Sequence, residues 1–558
     1  MSKSSRKKLR IGLLLDSYNV PHWVHLMLKE IINSESTEIC LTILNKHSSE
    51  KRAERGNFFQ RMYQNRKNLL YFSYRSFEKK RFVPDVDLSK LNNCKELLHN
   101  VPEIRVAPKQ TKFSDVFQQN DIKKIESHNV DVLIRLGFRI LHGRILKAAK
   151  YGIWSYHDAD NTVNRGGPAA FWEVVNEKQE TGSVLQILNE DLDGGLVLAR
   201  TFTSTDPLYT YRSRNNQQWN NVVLIPRKLK ELYDVGETDF FSRIEKENSD
   251  LEFYDEKLFK QPTNNEMVNI FAKHFKKYLR IKLQDQRYFD QWFLLFDLRD
   301  DLSKSLWRFQ KIIPPTDRFY ADPFPIFKNN KYYIFIEEFL YNSNKGHISV
   351  ITMDKNGKYS TPKKIIEKPY QLSYPFIFQY KRNYFMIPET LQNKTIELYK
   401  CKKFPFEWNY FKTVKNDIVS CDNTILNYNG KWWLFASQPF MGAGHSDELS
   451  LFYSSNPIGD EWIPHPKNPI ISDVRKARCA GKIFEYNGQL YRPSQDCSGY
   501  YGRGVIFNKI KTLNELEYDE VIVDRVYPNW DKDMIGLHTF AYEKNLTMFD
   551  GKFKLRRF

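Results

Sequence analysis

The sequence contains no run of about 18 consecutive apolar residues, so no membrane-spanning helix is predicted. Its basic start is followed by only a short apolar run, 11–15, before Asp16. This run is too short for a secretory signal and is typical of a first strand. The 6 cysteines include no CxxC pair and no dense framework, which favours reduced thiols. These absences predict a cytoplasmic protein, with peripheral attachment to the inner membrane left open.

Sequence signatures of nucleic-acid binding are also missing, since no zinc-finger, helix-turn-helix or RNA-recognition pattern is present. The chain nevertheless carries 85 Lys+Arg against 67 Asp+Glu, a formal net charge of +18. A dispersed excess of this kind indicates either a solvated basic surface or attraction to an anionic partner. We therefore expect an acceptor that carries phosphate or uronate groups, and no nucleic acid beyond a nucleotide sugar.

The chain divides by its periodicity into three parts. Residues 1–235 alternate short apolar strands with helical patterns, which predicts an α/β domain with a mainly parallel sheet. Residues 46–125 of this part form a basic and aromatic insertion to which no structure is assigned. Residues 236–290 are charged and helical in pattern, and we interpret them as a connector. Residues 291–558 change to aromatic strands of period two, so an all-β domain is expected there, in keeping with the 15% aromatic content.

Five similar units follow one another in the second half of the chain at a spacing of about 50 residues. Each unit has one strand, a turn such as KNN or YNG, and a second strand that begins with aromatic residues. The units cover residues 321–338, 373–389, 421–438, 479–496 and 537–550. This period predicts a five-bladed β-propeller of four-stranded sheets. Residues 292–300 and 306–313 are expected to join the last unit and close the ring.

One stretch of the first domain carries the candidate chemistry. The segment IWSYH is a strand that ends in His157, the polar loop RGGP follows at 165–168, and LDGG places Asp193 on a turn. A histidine at a strand end and an aspartate on a nearby turn can act as a base and its orienting carboxylate. A purely structural role for either residue is the alternative.

The order of His157, RGGP, ETG and LDGG resembles the formyltransferase fold, the family of methionyl-tRNA, glycinamide ribonucleotide and sugar N-formyltransferases. The resemblance covers residues 9–235 and implies 10-formyltetrahydrofolate as donor, an amine as acceptor, and His157 and Asp193 as catalytic residues. The family's asparagine two residues before the histidine is replaced here by Ser155. A serine hydroxyl is shorter than an amide, so its contribution to the oxyanion is smaller and a redirected or lost activity stays open.

Further residues near the same loop are predicted to bind the substrate or the cofactor. They are Leu136, Asp158, Asp160, Arg165, Gly166 and Gly167. Asp158 and Asp160 replace a small apolar segment that is usual in folate-dependent members of the family. They could bind a metal or the acceptor amine, or they could face solvent, and no metal site is assigned.

A second candidate site lies on the predicted propeller axis. The repeat alignment places Asp322, Tyr374, Asp422, Cys479 and His538 at equivalent first-strand positions. The residues predicted to line the axis are Asp322, Glu338, Glu389, Asp422, Arg492, Gln495, Asp496 and His538. Carboxylates that converge there would suit sugar hydroxyls, or general acid–base work if two were about 5–9 Å apart. Alternatively, repeated acids only end strands and satisfy turn backbone.

The motifs SYPFIF, EWIPHPKNPI (461–470) and LYRPSQDCSGYYG (490–502) resemble the amino-terminal propeller domain of plant glucosamine inositolphosphorylceramide transferases and its bacterial relatives. This resemblance covers residues 290–558 and implies a carbohydrate setting. The leading hypothesis is formyl or acyl transfer to an amino sugar in bacterial surface-glycan biosynthesis, with the propeller holding a nucleotide-linked, lipid-linked or polymeric acceptor. One alternative is glycosyl transfer or cleavage at the axis, with the first domain as a scaffold. A non-catalytic glycan-binding protein is the other.

Overall fold

The computed structural model describes residues 7–47, 65–82, 84–191, 194–250, 253–439 and 441–557. The chain divides into two compact units, Met1–Lys276 and Lys277–Phe558. Among the residues described, no helix is long and apolar enough to span a membrane.

The first unit is built on a seven-stranded sheet. Its strands are β1 (Leu9–Leu15), β3 (Thr37–Asn45), β5 (Glu103–Val106), β8 (Val132–Arg135), β10 (Ile153–His157), β11 (Glu180–Ile187) and β12 (Leu196–Ser204). Their order across the sheet is β12-β11-β10-β8-β1-β3-β5. The pairs from β10 to β5 are parallel, and β11 and β12 add an antiparallel edge. The predicted mainly parallel sheet is therefore confirmed.

Shorter strands and helices surround this sheet. The short strands are β2 (Asn19–Pro21), β4 (Leu91–Asn93), β6 (Lys109–Gln110), β7 (Ser114–Val116) and β9 (Ile140–His142). The α-helices are α1 (His22–Asn33), α2 (Leu69–Arg81), α3 (Gln119–Glu126), α4 (Phe171–Val175), α5 (Thr210–Val235), α6 (Glu237–Glu247) and α7 (Asn264–Arg287), and a 3₁₀ turn covers Gly143–Lys147. The stretch left without an assignment in the sequence thus holds α2, β4 to β7 and most of α3 among its described residues. The division between the units falls within α7.

Two apolar clusters cover the two faces of the sheet. Leu13 belongs to the cluster that includes buried residues of α1, α5 and α6, whereas its neighbour Leu14 belongs to the cluster that includes α3. Successive strand residues point to opposite faces, so a central strand that is apolar throughout needs helices on both sides. In sheets of this kind, ligands bind beyond the carboxyl ends of the parallel strands.

The second unit contains five antiparallel sheets. Sheet 1 has β15 (Arg318–Lys328), β16 (Lys331–Leu340), β17 (Lys345–Met353) and β18 (Lys363–Ile366). Sheet 2 has β19 (Ser373–Tyr380), β20 (Asn383–Glu389), β21 (Thr395–Lys403) and β22 (Glu407–Asn416). Sheet 3 has β23 (Cys421–Tyr428), β24 (Lys431–Ser437), β25 (Glu448–Ser454), β26 (Ile463–Pro464) and β27 (Ile471–Ser472). Sheet 4 has β28 (Phe484–Tyr486), β29 (Gln489–Asp496), β30 (Gly504–Leu513) and β31 (Tyr518–Val526).

Sheet 5 joins the beginning of this unit to its end. It has β14 (Gln310–Ile312), β13 (Tyr288–Leu298), β33 (Leu546–Arg556) and β32 (Met534–Glu543), in that order. β13 pairs with β33 along its whole length, from Tyr288 opposite Arg556 to Leu298 opposite Leu546. The prediction that these early strands join the last repeat is therefore confirmed. Two 3₁₀ turns, Leu306–Arg308 and Leu391–Asn393, complete the regular structure described in this unit.

The sequence repeat recurs as a structural repeat. In four sheets the register of the first strand of the repeat shifts by one residue at the same place, between residues 321/324, 373/376, 421/424 and 537/540, so that two residues of this strand face one of its partner. Within three of these bulges, Asp322, Tyr374 and Asp422 have φ values of 53°, 44° and 49°. A bulge turns a backbone N–H out of the ladder and re-aims its side chain. Four of the five sequence positions aligned as equivalent thus lie where the strands bend, whereas the fifth, Cys479, forms an isolated bridge with Ser494 outside the named strands.

Candidate functional site

His157 ends β10 at the carboxyl edge of the parallel strands, and its side chain is buried. Its Nε2 atom is 2.8 Å from the backbone oxygen of Asn164 in the following loop. A carbonyl oxygen can only accept, so Nε2 carries the proton and the neutral ring has its lone pair on Nδ1. The loop therefore selects one tautomer of His157, which is what a base at this position requires. Its predicted partner Asp193 lies outside the residues that the structure describes.

Ser155 is fully buried on the same face of β10. Its hydroxyl accepts a hydrogen bond from Arg135 Nε at 2.9 Å and donates to the backbone oxygen of Tyr156 at 3.3 Å. The hydroxyl proton is therefore engaged within the strand, which argues against the predicted donation from Ser155 to an oxyanion. The positive charge beside this position belongs to Arg135, at the carboxyl end of the neighbouring strand β8.

Asp158 and Asp160 are half-buried and hydrogen-bonded within the protein. Asp158 accepts from the amide of Asn221 at 3.3 Å, and Asp160 accepts from the backbone N–H and the hydroxyl of Thr162 at 3.0 and 2.8 Å. The Asp160 contacts form a local turn of the kind that aspartate commonly caps.

The hydroxyl of Tyr156 joins β10 to α5: it donates to Asn221 O at 2.6 Å and accepts from the N–H of Ile225 at 3.1 Å. α5 is thereby tied to the site strand.

The loop RGGP is held by a segment that the sequence analysis assigned to the connector. Gly166 forms a backbone bridge with Phe259, and a Cβ on Gly166 would be 2.2 Å from the Phe259 oxygen. Arg165 donates from Nε to the backbone oxygen of Asn161 at 2.9 Å, and its guanidinium carbon is 4.7 Å from the ring centre of Tyr254. Only glycine fits a φ of 106° with a second backbone so close. These contacts favour a structural role for the Arg165–Gly166 pair.

The other two residues predicted to bind a ligand are partly buried by the fold. Gly167 donates its N–H to Phe259 O at 3.3 Å. Leu136 is half-buried, packs against the apolar cluster of α1 and α5, and donates its N–H to Leu14 O at 3.0 Å. The backbone N–H groups of both residues are therefore already used within the fold.

Two polar residues beside His157 were missed by sequence analysis. Asn164 donates from Nδ2 to Glu173 Oε1 at 2.9 Å, and both side chains are buried, with exposed fractions of 3% and 4%. Burial raises the pKa of Glu173, although the Asn164 hydrogen bond and the nearby His157 oppose this shift. Glu173 lies among apolar residues of the short helix FWEVV, and nothing in that pattern distinguishes it from an exposed helix residue.

The second unit contains a buried charged cluster, which we call the inner-strand cluster. It consists of Asp322, Glu337, Glu389, Asp422, Arg478, Gln495, His538 and Asp550. Carboxylates from one sheet accept the bulge N–H of the next. Asp550 Oδ2 accepts from Asp322 N at 3.0 Å, and Asp322 Oδ2 accepts from Tyr374 N at 3.0 Å. Likewise Glu389 Oε2 accepts from Asp422 N at 3.2 Å. The acids at the repeat positions therefore link consecutive sheets.

His538 lies between two carboxylates of this cluster. Its Nε2 is 3.2 Å from Asp322 Oδ1, and its Nδ1 is 2.9 Å from Asp550 Oδ1. Burial alone would lower the pKa of His538, but the charges of Asp550 and Asp322 outweigh it and raise the pKa to about 10. The ligand atoms of these three residues lie within 4.8 Å of one another, as a metal site would require. With both ring nitrogens facing carboxylates, an imidazolium already supplies the positive charge there.

The opposite part of the cluster is organised by Arg478. Its Nε donates to Asp422 Oδ2 at 2.6 Å, and its Nη2 is 3.7 Å from Glu389 Oε2. Gln495 Nε2 also donates to Asp422 Oδ2, at 2.7 Å. Burial and the neighbouring Asp422 raise the pKa of Glu389 to about 8, against the pull of Arg478. Burial raises the pKa of Asp422 as well, whereas that of Asp322 is lowered because His538 and Thr539 outweigh burial. The pKa values of the carboxyl groups in the cluster are thus shifted in opposite directions.

Three residues predicted to line the axis are not in this cluster, and the prediction is corrected for each. Glu338 pairs with Arg318 at 2.7 Å, whereas Glu337 faces the cluster, because adjacent strand residues point to opposite faces. Arg492 has an exposed fraction of 0% and forms a bidentate pair with Glu520 on β31, at 2.8 and 2.7 Å.

Asp496 is the third. It pairs with Arg503 at 3.1 Å and accepts from the hydroxyls of Ser498 and Tyr527 at 2.6 and 2.8 Å. It follows Gln495 in β29, so the two side chains point to opposite faces of the strand and only Gln495 reaches the cluster.

An aromatic side chain covers the Arg478 end of the cluster. The ring of Tyr501 is 4.9 Å from the Arg478 guanidinium carbon and 5.3 Å from the His538 ring, and 42% of Tyr501 is exposed. The ring of Trp292 is 4.1 Å from that of His538. Aromatic faces beside polar hydrogen-bonding groups are suited to a ligand with both apolar and polar surfaces.

Comparison with known proteins identifies relatives of both regions. Residues 311–540 match the family described as glucosamine inositolphosphorylceramide transferase 1, N-terminal. The glucosamine inositolphosphorylceramide transferase 1 of Oryza sativa subsp. japonica is 38% identical over 210 residues, which is 37% of this chain and 28% of that protein. The Arabidopsis thaliana protein of the same name is 35% identical over 210 residues. The chain thus spans little more than a quarter of the length of these relatives.

The first unit has relatives of another kind. The methionyl-tRNA formyltransferase of Prochlorococcus marinus is 34% identical over 86 residues, covering 15% of this chain and 25% of that protein. For the β-rich second region, a solved structure that is similar is a family 117 glycoside hydrolase of Zobellia galactanivorans, which covers 48% of this chain and 90% of its own at a TM-score of 0.32 and 13% identity. Glycinamide ribonucleotide transformylase 1 of Symbiobacterium toebii covers 40% and 90% at a TM-score of 0.26 and 12% identity. By the sequence matches alone, the chain is similar to transferases in both regions, and both resemblances predicted from motifs are confirmed as similarities.

Proposed function

We propose that the first unit transfers a formyl group, or a related one-carbon or acyl group, to the amine of an amino sugar. The second unit would hold the carbohydrate acceptor. The observation that carries this proposal is His157 at the carboxyl edge of the sheet, with its tautomer selected by Asn164 O at 2.8 Å. The names of the relatives support it, because one set is named for formyl transfer and the other carries the name glucosamine inositolphosphorylceramide transferase, which includes an amino sugar.

In this proposal the chain's own residues move the proton. His157 would take a proton from the acceptor amine as the new N–C bond forms, and would return it to the leaving nitrogen as the old N–C bond breaks. Asp193, assigned by resemblance, would favour the charged imidazole. A formyl donor also needs a positive hydrogen-bond donor near the developing oxyanion. Arg135, 2.9 Å from Ser155 Oγ, fits that requirement better than Ser155 itself, so the residues fit a formyl donor.

The implied donor is 10-formyltetrahydrofolate, which would supply an activated formyl carbon. Leu136 at the end of β8 and Arg135 are the residues proposed to hold it. The net charge of +18 would favour a nucleotide-linked, lipid-linked or polymeric acceptor that is anionic.

The test is formyl transfer by the full chain from 10-formyltetrahydrofolate to a panel of nucleotide-linked amino sugars, followed by mass spectrometry of the products. His157→Asn should lower kcat by about 10²–10⁴, and Asp193→Asn should lower it too, because each removes part of the proton transfer. His142→Asn is the matched control, because His142 is a half-exposed histidine paired with the exposed Glu190. No transfer to any acceptor, or full activity of His157→Asn, would contradict the proposal.

A second candidate function is glycosyl transfer or cleavage at the inner-strand cluster of a closed five-bladed propeller. The observation that favours it is the separation of carboxyl pKa values: that of Glu389 is raised to about 8, by burial and by Asp422, whereas that of Asp322 is lowered. A protonated and an ionised carboxyl in one site can serve as general acid and base. Glu389→Gln and Asp322→Asn should then each abolish release of sugar from labelled glycans, whereas the exposed Glu407→Gln should not.

A further inference from the structure

The helix α7 has three sides of different character. It covers Asn264–Arg287 and is about 36 Å long. On one side Met267 and Ile270 are buried and pack with Tyr71 and Phe171. A second side is apolar but exposed, and a third is basic. The second side is the unusual one, because a helix on the surface of a domain normally turns its apolar side inward.

The exposed apolar residues of α7 form a continuous row, which we call the α7 stripe. Its members follow one another at steps of three or four residues, which places them along one side of the helix. They are Val268, Ala272, Phe275, Leu279 and Leu283. Between 41% and 64% of each of the four larger residues is exposed. Single apolar residues on a surface are common, but a contiguous row of them indicates an interaction site.

Basic residues border the α7 stripe. The helix contains six Lys and Arg residues against two acidic ones, Glu266 and Asp285. Lys273, Lys276 and Arg280 follow one another at helical spacing, are exposed, and form no ion pair among the residues described. An apolar row beside unpaired cations is complementary to a bilayer that contains anionic lipids, because acyl chains contact the apolar row and phosphates contact the cations.

A second copy of the chain fits the α7 stripe less well than a lipid surface does. Pairing of helices as a coiled coil needs apolar residues at alternating three- and four-residue steps over at least about three heptads. In α7 this pattern runs through Ala272, Phe275 and Leu279, and its next two positions are Lys282 and Gln286. Two copies of so basic a helix would also repel each other. A lipid surface needs no such register.

We propose that α7 binds the surface of a membrane that contains anionic phospholipids. Phe275 and Leu279 enter the boundary between headgroups and acyl chains, and Lys273, Lys276 and Arg280 contact phosphates. The net charge of +18 adds a long-range attraction of the same sign. This binding does not depend on the proposed function, because the α7 stripe contributes no residue to either candidate site.

The test is co-sedimentation of the full chain with vesicles of phosphatidylcholine, either pure or mixed with an equal part of phosphatidylglycerol. The wild type should bind the mixed vesicles on the order of 100-fold more tightly, at about fivefold for each cation at the surface. The combined variant Lys273→Gln, Lys276→Gln and Arg280→Gln should lose most of this difference. A control with the same loss of net charge outside α7 should bind within about fivefold of the wild type; it combines Lys331→Gln, Lys355→Gln and Lys358→Gln, all at exposed positions.

The apolar contribution is tested by Phe275→Ser, which should weaken binding to the mixed vesicles on the order of tenfold. Phe113→Ser is the matched control, because Phe113 has the same exposed fraction, 64%, and lies outside α7. Gln286→Leu adds an apolar residue on the side of the stripe and should tighten binding, which a misfolded variant would not do.

Three results would overturn the inference. The first is equal binding of pure and mixed vesicles by the wild type, and the second is unchanged binding by the α7 variants. The third is a wild-type dimer in sedimentation velocity that Phe275→Ser dissociates, because the α7 stripe would then be covered by a second copy of the chain.

Discussion

Arg478 is the residue whose removal gives the sharpest prediction for the second unit. Its guanidinium, 12% exposed, donates to Asp422 at 2.6 Å and lies 3.7 Å from Glu389. Arg478→Met keeps an apolar stem of similar length and removes the charge. Breaking a buried ion pair in this way costs about 3–5 kcal/mol, because the remaining charge is left without its partner. Among the described residues, Gln495 would then be the one remaining side-chain donor to Asp422. We therefore expect the variant to lose the full amount, about 3–5 kcal/mol of unfolding free energy, at pH 8.

The loss should depend on pH, and its sign follows from proton uptake. Without Arg478, the carboxyls of Asp422 and Glu389 have folded-state pKa values still further above their unfolded values, which lie near 4. The folded variant therefore binds more protons than its unfolded state between about pH 4 and 8, and its stability falls as pH rises through that window. The difference from the wild type should be small near pH 4.5 and should grow with pH up to 8 and beyond, because the variant keeps protons that the wild type has already lost.

Urea unfolding of the full chain at pH 4.5, 6 and 8 measures this effect. Lys412→Met is the control, because Lys412 pairs at 2.6 Å with Asp460, whose side chain is 96% exposed, and such pairs contribute about 0–1 kcal/mol. The reasoning would be refuted if Arg478→Met lost no more stability than this control at pH 8. A loss that was larger at pH 4.5 than at pH 8 would refute the assigned sign.

Three further predictions concern the same unit. Glu389→Gln should be more stable than the wild type above pH 8 and equal to it near pH 4, as measured by urea unfolding across pH. The reason is that Glu389, with its folded-state pKa raised to about 8, ionises less readily in the folded than in the unfolded protein, whereas glutamine does not ionise. Arg492→Met should lose about 3–5 kcal/mol, whereas the double variant with Glu520→Leu should return close to the wild-type melting temperature; a double variant worse than the single would contradict it. His538 should remain an imidazolium at pH 8.5 in NMR spectra, because Asp550 and Asp322 outweigh burial and raise its pKa to about 10. The stabilisation that this charge provides is complete below about pH 6.5 and is lost as pH rises through 10.

Much of the fold follows from local patterns in the sequence. The apolar strands of the first unit and the aromatic repeat of the second both depend on the spacing of side chains, which a single sequence contains. The position of His157 at a strand end was predictable for the same reason. The structural repeat was predictable to the residue at Asp322, Tyr374 and Asp422, which lie at matching bulges, but not at Cys479, which lies outside the strands of its sheet.

The contents of the sites were less predictable. Glu337 and Glu338 are adjacent acids, and the sequence does not say which of them faces the cluster, because a bulge on the neighbouring strand resets the pairing. Arg492 was misassigned because its partner Glu520 is on another strand, and long-range pairing leaves no local signal. Glu173 was missed because one acid in a short apolar helix has no pattern of its own.

The pairing of β13 with β33 has a consequence for synthesis of the protein. The strand Tyr288–Leu298 leaves the ribosome long before its partner Leu546–Arg556. At about 5–20 residues per second, the interval is roughly 12–50 s. During that time an aromatic strand presents an open edge, which is the kind of surface that chaperones cover and that aggregates recruit. A nascent chain arrested before Leu546 should therefore be retained by chaperones or precipitate, even though most of its sheets are already complete.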